Sequence, residues 1–259
     1  MVLNCSGGIA HRGERGALEP AYNGRVAISD VVRALEQDLR AIFGGRLQSL
    51  VVYRPASDVS GEPTPTLAVV DSLTTDDLRA CADRVMSWHE AGLATPLLVG
   101  TREFGRSLDA FPLEFGAILA DHTLVAGPDP FEGLSLVTSD LRRACEVQAR
   151  SHLLHLREGF IESRGRGDQI GRLIAESAAP LAGLLMSVAR LHASPVTATA
   201  SAAELVERVA ALQVGSLSAI VAFARQASLP SSDDARRLFP SYLAAIERLT
   251  HYIDQWNGH

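Results

Sequence analysis

The sequence predicts an α+β protein in which a mixed sheet flanked by helices is followed by an all-helical bundle. Two patterns support this fold class. Short apolar runs of strand length alternate with amphipathic helical segments up to residue 137. From residue 138 onward, apolar residues recur with the helical period alone. We therefore divide the chain into a flexible N-terminal segment at residues 1–24, an α/β domain at residues 25–137 and a helical bundle domain at residues 138–259.

The α/β part begins with a helix and two strands. An apolar stripe over residues 26–43 predicts the helix, which Gly44 and Gly45 end. Residues 47–53 and 67–70 are short apolar runs of the kind found in buried strands. Residues 54–65 between them contain Pro, Gly and Ser and predict a loop.

A helix-start signal follows the second strand. Thr74 has the residue type of an N-cap, and Asp77 stands at the third helical position, so we predict a helix that runs to residue 90. The next segments are interpreted as a third strand, a turn or short helix, and a pair of strands, over residues 96–99, 102–108, 111–119 and 122–126.

The second half of the chain predicts five helices. Each carries apolar residues three and four positions apart. Pro180 should kink the second of them or mark its boundary. The five segments are residues 141–161, 170–191, 202–212, 217–227 and 235–256.

Composition restricts the function. The formal net charge of -6 argues against a nucleic-acid partner, which usually meets a basic face. All 24 positively charged residues are Arg, so the chain has no lysine for a P-loop or a Schiff base. Any anion must therefore be recognised by guanidinium groups.

The cysteines and the apolar runs bear on the compartment. Cys5, Cys81 and Cys145 are far apart and odd in number, which favours a reduced, cytoplasmic compartment and no structural metal. No signal-peptide pattern and no apolar run of about 18 residues is found, so we expect no membrane partner.

Four stretches of sequence together resemble the nucleotidyltransferase superfamily, and in particular bacterial proteins with this fold and a helical C-terminal domain. They are LQSLVVYRPASD, PTPTLAVV, SLDAFPLEFGAILADHTLVAGPDP and LRRACEVQARSHLLHLREGF, and the likeness covers roughly residues 25–165. The resemblance implies a mixed sheet whose first strand leads to a Gly-Ser turn that holds a triphosphate. It also implies two Asp residues on the second strand and a third carboxylate from a later one, which together hold a divalent metal.

The departures from this pattern fall on the chemistry. Arg54 and Pro55 stand in place of the Gly-Ser turn, and Thr64 and Thr66 stand in place of the paired Asp residues. Threonine is a neutral, weak ligand that cannot hold Mg²⁺ with a nucleotide. The resemblance therefore implies a nucleotidyltransferase-like pseudoenzyme, for which we expect no cofactor.

Four residues are candidates for a ligand site. Arg54, Ser57 and Asp58 occupy the loop after the first predicted strand, where Arg54 could bind an anion such as a nucleotide phosphate. Glu114 could stand in for the third carboxylate and is the candidate catalytic residue. A solvated surface is the alternative interpretation for each of them.

We hypothesise that the protein binds a small molecule, a nucleotide or a protein partner, which could be a second copy of the chain. An active nucleotidyltransferase using Mg²⁺ is the alternative, and it requires carboxylates such as Asp58, Asp71 and Glu114 to converge on one ion. A second alternative is a HEPN-like helical ribonuclease that uses Arg150 and His155, whose side chains would then share one groove.

Overall fold

The fold is described for residues 29–53, 63–192, 196, 198–225 and 229–258 of a computed structural model. The predicted flexible segment at residues 1–24 lies outside the described residues. So do Arg54, Ser57 and Asp58.

Four strands form one mixed sheet. Strand β1 (Leu47–Tyr53) is an interior strand, paired in antiparallel fashion with β2 (Thr66–Val70) on one side and β4 (His122–Ala126) on the other. Strand β3 (Leu97–Gly100) runs parallel to β2, which gives the order β3-β2-β1-β4.

One face of the sheet is covered by α1 (Asp30–Phe43), α2 (Thr75–Ala82) and α3 (Val85–Glu90). Helix α1 begins at Ser29, whose hydroxyl accepts the N–H of Val32 at 3.4 Å. Its apolar stripe packs against sheet residues such as Leu50. The single helix predicted between Thr74 and residue 90 is two helices, because the backbone turns between α2 and α3.

The opposite face is covered by α4 (Thr101–Ala110) and α5 (Pro112–Ala120). The prediction of a strand over residues 111–119 was wrong. Pro112 occupies the first helical turn, where its missing N–H costs no hydrogen bond. Pro112, Phe115 and Ile118 are buried at a spacing of three, which is a helical rather than a strand pattern.

The second half of the described chain is helical. Helices α6 (Thr138–Ser163), α7 (Gly167–Leu191) and α10 (Ser232–Gln255) pack against one another. The predicted helix over residues 217–227 is a short α9 (Ser218–Val221) followed by one 3₁₀ turn in the described part. Helix α8 is Thr199–Val209.

Pro180 lies inside α7 and does not mark its boundary. Among the described residues, α7 is the helix whose length and composition would suffice to cross a membrane. Of its apolar window, 56% is buried inside the molecule, as in the core helix of a helical bundle.

Helix α5 joins the two parts of the structure. Phe115 and Ile118 pack on the sheet, whereas Leu113 packs against the core formed by α6, α7 and α10. The structure thus has the α+β class predicted from the sequence: a mixed sheet with flanking helices and a C-terminal helical region. The domain boundaries at residues 24 and 137 stay a prediction.

An ion pair between Arg46 and Asp77 connects the start of β1 to helix α2. Arg46, just before β1, donates two hydrogen bonds to the carboxylate of Asp77 at 2.7 and 2.8 Å. Asp77 also accepts the N–H and the hydroxyl of Thr74, at 2.9 and 2.8 Å, in a capping box. The hydrogen bonds from Arg46 outweigh the effect of burial and hold the pKa of Asp77 well below its usual range.

We expect Asp77→Asn to lower the melting temperature, because the capping box and the bidentate pair with Arg46 both need the carboxylate. A carboxyl whose pKa is lower in the folded state stabilises it above the unfolded pKa, about 3.9 for Asp. The difference from the wild type should therefore be constant near neutral pH and shrink as the pH falls below about 4.

Asp76→Asn is the matched control for differential scanning fluorimetry across pH. Asp76 is the neighbouring residue, and its pair with Arg79 is almost fully exposed, at 88% and 74% of the two side chains. Equal melting temperatures for the two variants would contradict this role of Asp77.

Candidate functional site

One edge of the sheet collects the end of β1 and the starts of β2 and β4. Val52 lies opposite Thr66, and Tyr53 lies opposite His122. The N–H of Tyr53 donates to the carbonyl of Pro65 at 3.3 Å, so β1 and β2 are still paired where the chain enters and leaves residues 54–62. The predicted loop residues follow directly from this edge in the sequence.

Thr66 does not face an open site. Alternation along β2 places Thr66 on the same face as Ala68 and Val70, which pack against α1, α2 and α3. The residue is 0% exposed, and its hydroxyl has no hydrogen-bond partner among the described residues. In this arrangement the hydroxyl cannot reach a ligand at the sheet surface.

Thr64 is the other position of the expected Asp pair, and its backbone is hydrogen-bonded through both its N–H and its carbonyl. Its N–H donates to the carbonyl of Gly92 at 2.8 Å, and its carbonyl accepts the N–H of Ala94 at 2.9 Å. Its side chain is half-buried. The start of β2 is therefore occupied by two neutral side chains in a paired backbone.

His122 and Asp129 are polar groups that the fold brings to this edge. Nδ1 of His122 lies 2.9 Å from the carbonyl of Ile118, and Nε2 lies 3.2 Å from Oδ1 of Asp129. Both neighbours of the ring are hydrogen-bond acceptors. The same Asp129 oxygen accepts the N–H of Phe131 at 2.8 Å, which fixes the carboxylate.

Aromatic rings surround this pair. The Phe131 ring lies 4.8 Å from the His122 ring and 5.1 Å from the Phe104 ring, centroid to centroid. Tyr53 packs on the same face, and burial raises the pKa of its hydroxyl. Asp129 was not among the site residues predicted from the sequence, although its place in the Gly-Pro-Asp-Pro turn directly after a predicted strand could have indicated a role.

Glu114 lies in the first turn of α5 rather than on a strand, and its side chain is exposed. Helix α5 leads into β4 at its other end, so Glu114 is about 9 Å along the helix axis from Ala120, at 1.5 Å per residue. Its role in a ligand site stays a prediction.

Asp71 lies at the opposite end of β2 from Thr66. Five strand residues separate the two sheet edges, a distance of about 16 Å. The backbone of Asp71 donates to the carbonyl of Arg46 at 2.9 Å. No group of three His, Cys, Asp or Glu side chains suited to a metal ion is found within the described ranges. This geometry gives no support to a carboxylate set that includes Asp71.

Arg150 and His155 face different neighbours on α6. Arg150 is 2.9 Å from Asp254 of α10 and also binds Glu146, which raises the pKa of its guanidinium. His155 instead lines a cavity between α6 and α7. The ribonuclease alternative requires Arg150 and His155 to share one groove, and in this structure they do not.

No protein-family model matches this chain. No curated protein matches it either. Among solved structures, the chain is similar to spectinomycin adenyltransferase AAD(9) from Enterococcus faecialis, determined with ATP and spectinomycin. The TM-score is 0.54 at 10% sequence identity, over 87% of this chain and 98% of the adenyltransferase chain. At this identity the likeness concerns the fold alone, and the chain has a nucleotidyltransferase-like fold.

Proposed function

We propose that the protein is a catalytically degenerate member of the nucleotidyltransferase fold that binds a small ligand or a protein partner without transferring a nucleotide. The single observation that carries this proposal is the burial of Thr66. A metal-binding strand presents carboxylates toward the substrate, whereas the side chain at this position of β2 is neutral and turned into the core.

The ligand site that we propose uses the segment after β1, with Arg54 as the anion-binding group and Ser57 and Asp58 beside it. Guanidinium is the cation available for this role, because the chain has no lysine. The similar adenyltransferase was determined with ATP and spectinomycin, so nucleotides and small polar molecules are the first ligands to test. No metal is required in this proposal.

Thr66→Val is expected to raise the melting temperature by about 2–4 °C, equivalent to about 1 kcal/mol for a chain of this size. The reason is that valine has the same shape and removes a buried hydroxyl that has no partner among the described residues. Thr66→Asp, which restores the residue of the active pattern, should instead destabilise the fold, because it buries an unpaired carboxylate. Thermal unfolding by circular dichroism measures both.

Thr123→Val on β4 is the control for Thr66→Val, because Thr123 is a strand threonine that is only half-buried. Its melting temperature should stay close to that of the wild type. A folded Thr66→Asp protein that gains Mg²⁺-dependent nucleotide binding would contradict the inward orientation of residue 66.

Arg54 is expected to contribute directly to ligand binding. Thermal shift with nucleotides should show stabilisation that does not depend on Mg²⁺, and Arg54→Gln should reduce it by removing the anion contact. Arg33→Gln on the exposed face of α1 is the matched control and should leave it unchanged. Stabilisation that needs Mg²⁺, together with mass-spectrometric transfer of a nucleotide to an acceptor, would overturn the proposal.

A further inference from the structure

A cavity of about 320 Å³ opens between α6 and α7 in the helical half. Its lining includes the polar residues His152 and Ser177 and the apolar residues Leu156 and Leu173. All of its lining residues in the described chain come from these two helices, so it is separate from the sheet edge that carries the proposed function. At ~30 Å³ per water molecule, the cavity would hold about ten waters or a small organic molecule.

A chain of hydrogen bonds connects His152 to Ser177 through Tyr242. Nε2 of His152 is 2.6 Å from the hydroxyl of Tyr242, which is 3.0 Å from the hydroxyl of Ser177. Ser177 donates to the carbonyl of Ile174 at 2.9 Å, and a carbonyl can only accept. When the Ser177 hydroxyl donates to Ile174, it accepts from Tyr242, and Tyr242 in turn accepts from Nε2–H of His152.

This direction determines what His152 presents to the cavity. With the hydrogen on Nε2, the neutral ring has an acceptor lone pair on Nδ1. Nδ1 of His152 has no hydrogen-bond partner among the described residues, and the residue itself is only 5% exposed. Burial, with a smaller effect of His155, lowers the pKa of His152 to about 4, so the ring is neutral at neutral pH.

Pro180 lines the cavity and interrupts the hydrogen-bond pattern of α7. Proline has no N–H, so the helix leaves the carbonyl of Glu176, four residues earlier, without its usual partner. The side chain of Glu176 is exposed and also lines the cavity, where it brings a carboxylate. This segment of α7 thus supplies the negative charge at the cavity.

The polar lining carries Glu176 and no Arg. His155 also lines the cavity; it lies 3.6 Å from Glu158 and brings a positive charge only when it is protonated. Glu176 is the charged carboxylate among the described lining residues, and Nδ1 of His152 can only accept. The remaining polar side chains, including Gln148 and Ser151, can donate or accept and therefore adapt to the ligand. This set of groups complements a positive charge with N–H donors and is poorly suited to an anion.

We propose that the cavity between α6 and α7 is a binding site for a small organic cation, a primary or secondary ammonium on an apolar body. An ammonium N–H donates to Nδ1 of His152, and Glu176 supplies the counter-charge. Leu156 and Leu173 contact the apolar body. Tyr242, which does not line the cavity, positions the His152 ring through the hydrogen bond at Nε2, and Ser177 is hydrogen-bonded to Tyr242.

The experiment uses the full chain with benzylamine as the probe, and benzyl alcohol and benzoate as neutral and anionic probes of similar size. Ligand-observed NMR at neutral pH gives the affinities. Long-range ¹H–¹⁵N spectra of histidine-labelled protein report on Nδ1 of His152. We expect benzylamine to bind at least tenfold more tightly than either of the other probes and to shift the Nδ1 signal of His152.

Glu176→Gln should weaken benzylamine binding about fivefold to tenfold, since it removes the counter-charge at an exposed position that the fold does not need. Glu162→Gln on α6 is the matched control, because Glu162 is also exposed but does not line the cavity. Ser151→Leu should abolish binding by filling the cavity without a change of charge.

Three results would overturn the proposal: equal affinity for benzylamine and benzyl alcohol, equal weakening by Glu176→Gln and Glu162→Gln, or an unchanged His152 signal at saturating benzylamine. None of these results depends on Arg54 or on nucleotides. Failure of this site is therefore distinguishable from failure of the proposed function at the sheet edge.

Discussion

The burial of β2 on both faces limits which side chains the centre of the sheet can accept. All five residues of the strand are buried, between α1, α2 and α3 on one face and α4 and α5 on the other. A strand enclosed in this way tolerates apolar and small neutral side chains, because an unpaired carboxylate inside it would lose its hydration. The apolar composition of β2 and the absence of a carboxylate from residues 66–70 therefore have one physical cause.

Helix α5, which connects the sheet to the helical half, is also buried on more than one side. Helix α5 contacts the sheet through Phe115 and Ile118 and the helical core through Leu113, so it is apolar on more than one side. This distribution resembles a strand buried on two faces when the sequence is considered alone. It explains both why the segment was predicted as a strand and why the sheet and the helices form one packed structure.

The helical half contains a buried hydrogen bond between His152 and Tyr242, of which the sequence indicates one partner at most. Cys145, Ala149, His152 and Leu156 share one stripe of α6, at spacings of four, three and four. A histidine within an apolar stripe is expected to be buried and to need a partner. The partner is Tyr242, ninety residues away on α10, and sequence separation of that size carries no local signal.

The sequence alone was enough to predict the α+β class, the first two strands, the N-cap at Thr74 and the succession of long helices, because each depends on local periodicity or on local hydrogen bonds. It also determined that Thr64 and Thr66 are neutral. Three relations became visible in the folded structure: Thr66 turns into the core, Asp71 and Thr66 lie at opposite edges of the sheet, and His152 contacts Tyr242 beside a cavity. These relations depend on strand register and helix packing, which join residues far apart in the chain.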